Sequence, residues 1–365
     1  MRIGIHPLRS ASLSGLLLGF LSIPAAAQTT APNEWTWMGG SNTVPTRCLS
    51  STLLCGQPGV YGTPLGTPVA GNIPGGRDNA ATWTDSSGNL WLFGGEGFDA
   101  NANFGDLNDL WEFNPSANDW TWMGGSSTLP ASCAGSTTVT CGQPGLYGTL
   151  ITPAAGNVPG GRDYAATWTD TSGTFWLFGG EGFDVNGTFG TLDDLWEFNP
   201  TSKVWAWMSG SSTVSGSCTG NDVSGAFYFC VGEPGVYGNL GVSTSGNNPG
   251  GRWEPTTWVD AGGQFWLYGG QGFDSKGNYG KLDDLWKFNS TTNEWTWMGG
   301  DVTLPAVCGV GIPVEYNALC GWPAVYGALD QPAPNIGPGG RVGALGWTDI
   351  NGNFWLFGGL SPIYL

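Results

Sequence analysis

The chain has 365 residues, among them 64 Gly, 24 Pro and 21 Trp, with only 11% charged side chains and a formal net charge of -17. So many aromatic residues supply the apolar area that disordered chains lack, so the composition excludes disorder and points to an all-β fold with many glycine turns. The acidity argues against nucleic acid and anionic membranes as partners, because both would be repelled by the same field.

Residues 1–27 read as a secretory signal. Arg2 and Arg9 give a basic start, the apolar run from Ala11 to Ile23 is too short to span a bilayer, and Ala25-Ala26-Ala27 before Gln28 fits a cleavage site. The expectation is export, to the periplasm, the cell surface or the medium, of a single domain over 28–365 with no membrane span after signal removal. Signal cleavage takes two cations and no acid, so the mature chain is more acidic still.

An orphan Trp35-Thr36-Trp37-Met38 follows, and then a fourfold internal repeat begins. Gly-Gly-Arg recurs at Arg77, Arg162, Arg252 and Arg341, in steps of 85, 90 and 89 residues. In the first copy Ala81-Thr82-Trp83-Thr84 precedes a Ser-Ser-Gly-Asn turn, then Leu90-Trp91-Leu92-Phe93-Gly94-Gly95, a loop, Asp109-Leu110-Trp111-Glu112-Phe113, an Asn-Pro turn and Trp120-Thr121-Trp122-Met123. These are four short β-type runs separated by turn residues. A linear array of separate sheets would leave their aromatic faces in water, which disfavours that arrangement.

The pattern Trp-Leu-Phe-Gly-Gly, loop, Asp-Asp-Leu-Trp-Glu-Phe-Asn-Pro, Trp-x-Trp-Met, as at Trp176 to Met208, resembles the Kelch motif. The match covers 77–123, 162–208 and 252–298, and in part 341–365. The resemblance implies a Kelch-type β-propeller of about four blades, each of four antiparallel strands. The fourth copy lacks its Asp-Leu-Trp and Trp-x-Trp runs, so two expectations stand: residues 34–40 close the ring as its last strand, or the propeller is truncated. Kelch propellers include the copper enzyme galactose oxidase, but its metal site needs His ligands. The one His in this chain, His6, lies in the signal. Copper, zinc and triad chemistry are disfavoured together, and no cofactor is expected.

Inserts of about 37 residues separate the blades, longer than repeats of about 50 residues accommodate. Each holds one cysteine pair, Cys48/Cys55, Cys133/Cys141, Cys218/Cys230 and Cys308/Cys320. Export and local spacing favour four disulfides within the inserts, and zinc would want tighter spacing or His.

In an up-and-down blade the loop after strand two and the insert leave from the same end. That end is the expected binding face for a protein or glycan ligand, carrying Glu96, Asp99, Glu181, Asp184, Asp274 and the four arginines Arg77, Arg162, Arg252 and Arg341. Asp99-x-Asn101-x-Asn103 and Asp184-x-Asn186 offer alternating oxygens as calcium loops do. Lys276 in the third copy and the missing distal Glu favour turns capped by Asx side chains instead. The arginines admit two roles: a ring around the channel that catches a carboxylate, or ion pairs within the framework. Near-identical loops suggest one repeated role, hence a non-enzymatic binding protein; a carboxylate-based glycan-active enzyme and a purely structural surface protein are the other readings.

Overall fold

The computed structural model describes residues 35–45, 55–133, 141–215, 231–306 and 320–362. The expected signal segment, residues 1–27, therefore lies outside the described residues. The chain divides into two units, Met1–Gly39 and Gly40–Leu365. In the first, residues 35–38 form no strand, and the Trp37 indole N–H donates to the Gly39 carbonyl.

Among the described residues the second unit is all β apart from one 3-10 turn at Ala131–Cys133. The first repeat gives β1 (Arg77–Asp78), β2 (Ala81–Thr84), β3 (Leu90–Phe93), β4 (Glu96–Phe98), β5 (Phe104–Asp106), β6 (Leu110–Asn114) and β7 (Asp119–Gly124). The second gives β8 (Arg162–Asp163), β9 (Ala166–Thr169), β10 (Phe175–Phe178), β11 (Glu181–Phe183), β12 (Phe189–Thr191), β13 (Leu195–Asn199) and β14 (Val204–Ser209). The third gives β15 (Arg252–Trp253), β16 (Thr256–Val259), β17 (Phe265–Tyr268), β18 (Gln271–Phe273), β19 (Tyr279–Lys281), β20 (Leu285–Asn289) and β21 (Glu294–Gly299). Among the described residues β22 (Val342–Thr348) and β23 (Phe354–Leu360) follow.

Each full repeat builds one four-stranded antiparallel blade, in the orders β2-β3-β6-β7, β9-β10-β13-β14 and β16-β17-β20-β21, and one small three-stranded sheet. The fourth sheet holds β22 and β23 alone. The fold is thus a β-propeller with three complete blades and half of a fourth among the described residues. The closing strand expected at 34–40 is not formed over its described residues, 35–40. In a blade the fourth strand pairs only with the third, as β7 does with β6, and among the described residues the fourth sheet holds no third strand.

Alternation explains the blades. Ala81 and Trp83 are buried in the core while Thr82 and Thr84 on the opposite face stay exposed. In the middle blade Phe175-Trp176-Leu177-Phe178 is buried throughout, because blades cover both of its faces. The inner tryptophans join the blades: Trp83 stacks on Phe175, Trp168 on Phe265 and Trp258 on Phe354, each with centroids 5.4 Å apart. Their indole N–H groups donate to the carbonyls of Trp176, Trp266 and Trp355. The inner strands of all four sheets meet around an axial cavity of about 320 Å³, lined by Thr82, Thr167, Thr257 and Thr348 with the tryptophans.

The two ends of the blades differ. At one, tight turns suffice, as where Asp85 accepts from the amides of Ser87 and Asn89 and from the Trp91 indole. At the other lie the small sheets, the loops after Gly-Gly and the inserts, as strand direction requires.

Candidate functional site

A buried knot fixes the loop end of each complete blade. Arg162 meets Asp194 bidentately, Nη1 to Oδ1 at 2.6 Å and Nη2 to Oδ2 at 2.8 Å. The Tyr147 hydroxyl and the Trp196 indole N–H donate to the same Oδ2 at 2.6 and 2.7 Å. Arg77, Asp109, Tyr61 and Trp111 repeat the arrangement, as do Arg252, Asp284, Tyr237 and Trp286. Burial, then the Asp194 carboxylate, pushes the Tyr147 phenol far up, so it stays a donor. The Gly-Gly signature belongs to this knot: Gly179 accepts from Arg162 Nη1, and a Cβ there would lie 2.7 Å from the Arg252 carbonyl of the next blade.

Arg77, Arg162 and Arg252 are therefore framework, not a ring that catches a carboxylate from the channel. Their guanidinium groups are buried against aspartates of their own blades. Of these four arginines, Arg341 makes no ion pair among the described residues; it donates to the carbonyls of Gly358 and Pro338.

The loop aspartates Asp99, Asp184 and Asp274 are framework too. Asp99 is buried; its Oδ1 accepts from the amides of Asn101 and Asn103, and its Oδ2 from the Asn103 side chain and the Leu129 amide. Asp184 and Asp274 repeat this, reaching the amides of Val214 and Leu304. The backbone presents N–H donors to these carboxylates, as in an Asx turn tied to the next insert. No group of three or more His, Cys, Asp or Glu is placed to hold a metal among the described residues.

In the inserts Cys133 and Cys141 form a disulfide, and Cys55 and Cys320 are disulfide-bonded. Cys48, Cys218, Cys230 and Cys308 lie outside the described residues.

The small sheets hold what remains of the expected site. Across neighbouring strands Asp78, Glu96 and Asp106 are in register in the first repeat, Asp163, Glu181 and Thr191 in the second, and Trp253, Gln271 and Lys281 in the third. Beside them Asn79, Tyr164 and Glu254 take left-handed backbone conformations at φ 52, 54 and 50°. A main-chain relay fixes these three around the axis: the Tyr164 amide donates to Asn79, Glu254 to Tyr164, and Gly343 to Glu254. The Tyr164 and Trp253 rings approach to 5.2 Å.

Electrostatics unify these residues. Burial, then Asp78, pushes the Glu96 carboxyl up to about 7. Burial, then Glu96 and Glu254, pushes Glu181 up to about 8. Asp163 rises through burial and then Glu181, and Asp106 through burial and then Asp163. Glu181 Oε1 and Asp106 Oδ2 are buried without a hydrogen-bond partner. This mouth offers carboxyls that both donate and accept near neutral pH, beside two aromatic rings.

Of the expected site residues, Glu96 and Glu181 fall in this cluster. Sequence reasoning missed Asp78, Asp106, Asp163, Tyr164 and Glu254. For Asp78, Asp163, Tyr164 and Glu254 the signal was the divergence directly after a constant Gly-Gly-Arg: Asp-Asn, Asp-Tyr, Trp-Glu and Val-Gly; Asp106 stands where the other copies have Thr191 and Lys281. The repeats diverge at these positions, whereas Gly-Phe-Asp in the loops after Gly-Gly recurs in three copies.

Stacked antiparallel blades with a divergent acidic mouth define a protein of the β-propeller class. Among solved structures the chain is similar to one described as "Structure of YjhT", with 15% identity and a TM-score of 0.38, over 77% of this chain and 59% of that one. It thus spans about three-fifths of that protein's length. No protein-family model and no curated protein matches it.

Proposed function

We propose that the chain is an exported, non-enzymatic binding protein of the Kelch-repeat kind, which holds a glycan at the axial mouth on its insert-bearing end. The observation that carries this reading is the divergence of otherwise repeating units at residues that face one another: Asp78, Glu96, Asp163, Tyr164, Trp253 and Glu254. Carboxyls poised near neutrality donate to and accept from sugar hydroxyls, and an aromatic pair gives a ring face to stack on. The net charge of -17 disfavours polyanionic glycans. Residues 1–27 direct export, and the Cys133–Cys141 disulfide fits an oxidising compartment. No helix long and apolar enough to cross a membrane is present among the described residues.

A carboxylate-based glycan-active enzyme is the second reading, favoured by Glu96 and Glu181, which interact and sit at about 7 and 8. A glycan array followed by turnover assays on the bound sugars separates the two. Binding without turnover is expected; hydrolysis abolished by Glu181→Gln would replace binding by catalysis, and a blank array with protein partners captured at the same mouth would replace the glycan.

A further inference from the structure

The junction between the first two repeats holds acids that the described residues leave unanswered. The Arg162 amide donates to the Leu107 carbonyl at 3.2 Å and the Gly95 amide to the Arg162 carbonyl at 2.8 Å, so β8 lies against the first small sheet and brings Asp163 to Asp106. Asp106 is 2% exposed and its Oδ2 has no hydrogen-bond partner; Glu181, in register with Asp163, leaves its buried Oε1 unpartnered too. Burial, then the charges of Asp163, Glu96 and Glu181, push the Asp106 carboxyl up, while Asp78 and Glu254 add to the field at Glu96 and Glu181. Among the described residues the ion pairs are those of the three knots, and none reaches these acids. The next junction uses the same backbone and closes on itself. There the Arg252 amide donates to Leu192 and the Gly180 amide to Arg252, but Thr191 and Trp253 replace Asp106 and Asp163, and the Trp253 indole donates to the Tyr279 hydroxyl at 2.9 Å. The acids of the first junction are thus a choice of side chains on a common frame, not a requirement of the fold.

We propose that Asp106, Asp163, Glu181 and Glu96 form the subsite for a free ammonium group, so that the glycan held at the mouth is an unacetylated amino sugar; the inference rests on the glycan reading above. Facing carboxyls buried together need protons or a cation to neutralise them. With nothing bound, protons serve, and Glu96 and Glu181 keep theirs up to about 7 and about 8. An ammonium needs only hydrogen-bond reach and brings three donors to the orphaned oxygens, whereas these acids are not grouped closely enough to hold a metal. The aromatic pair selects the rest of the ligand. Tyr164 adjoins the junction, since after burial the Asp163 charge is what raises its phenol, to about 12, and its ring stands 5.2 Å from Trp253. A pyranose lays its C–H face on such rings while its amine enters the junction. On binding, the ammonium pairs with a carboxylate whose proton leaves to solvent, so charge is conserved at the site.

The test is calorimetric titration of the full chain with a glucosamine oligosaccharide, its N-acetylated form and a glucose oligosaccharide of the same length, in buffers of different ionisation enthalpy. The free amine is expected to bind about tenfold or more tightly than either neutral sugar and to release about one proton per site at neutral pH. Asp106→Asn keeps the size and removes the charge, and is expected to bring the three sugars within about twofold of one another. Asp163→Asn repeats the measurement on the facing strand, so the outcome does not hang on the folding of one variant. Equal binding of the three sugars, lost in Glu96→Gln/Glu181→Gln, would overturn the ammonium site and leave the glycan reading standing. Binding of none would overturn the site and, with a blank glycan array, that reading as well. An amine preference that survives both Asn variants belongs to the acidity of the whole chain and overturns the site. A lysine oligomer that binds as tightly, with the same proton release, would replace the amino sugar by a protein partner.

Discussion

Arg162 and Asp194 stand 32 positions apart in the sequence and meet by two hydrogen bonds in a fully buried pair, and Tyr147, 47 positions before Asp194, closes the same knot. One contact thereby fastens the start of a blade, its third strand and the insert that precedes it. Removing one partner strands a buried charge, so Asp194→Ala is expected to lose about 3–5 kcal/mol in urea unfolding. Arg341→Ala, at the position without an ion pair among the described residues, should stay within about 0.5 kcal/mol of the parent. Equal losses at both positions would mean that the knot does not carry the framework.

The tryptophans between blades make the same contrast. Trp168→Ala deletes the stack on Phe265 and the bond to the Trp266 carbonyl, at an expected cost of about 3–5 kcal/mol. Trp347, its counterpart on the open fourth sheet, is 48% exposed. Its replacement by Ala should cost less than about 1 kcal/mol, read as a small change in urea midpoint.

Stability should fall as pH rises from about 5 to about 8. Glu96 and Glu181 hold protons in the folded chain up to about 7 and about 8, whereas in the unfolded chain they release them near the ordinary 4.5. In that window the folded state binds more protons, and each step upward in pH favours unfolding. Glu181→Gln should flatten the slope of unfolding free energy against pH. A slope that it leaves unchanged would place the titration elsewhere.

Reduction of the Cys133–Cys141 bond opens a loop of sequence separation 8, which the chain-entropy account values at about 2–3 kcal/mol. Because Asp99 ties the start of that insert to the blade through the Leu129 amide, the mouth residues should keep their hydrogen-exchange protection after reduction, while residues around Cys133 lose theirs.

The strands were legible because each run alternates and each turn carries its own Gly, Asn or Asp. The end on which Glu96 and Glu181 sit followed from strand direction alone. The roles of Arg77, Arg162 and Arg252 were left open between ligand and framework, since the sequence does not show that an Asp 32 residues downstream lies against each guanidinium. Tyr164 and Glu254 were hidden for another reason. Their importance comes from left-handed backbone positions and from neighbours in other repeats, which no single-repeat pattern encodes. Closure by Trp35-Thr36-Trp37 was expected because that orphan run matches the Trp-x-Trp strand the fourth copy lacks, yet no strand forms over the described residues 35–40.

The most direct test of the mouth as a binding site is glycan-array binding by the parent chain, the Glu96→Gln/Glu181→Gln double variant and Arg341→Ala, all verified as folded. The account predicts that the double variant loses the signal while Arg341→Ala keeps it. Undiminished binding by the double variant would contradict the assignment of the ligand to the axial mouth.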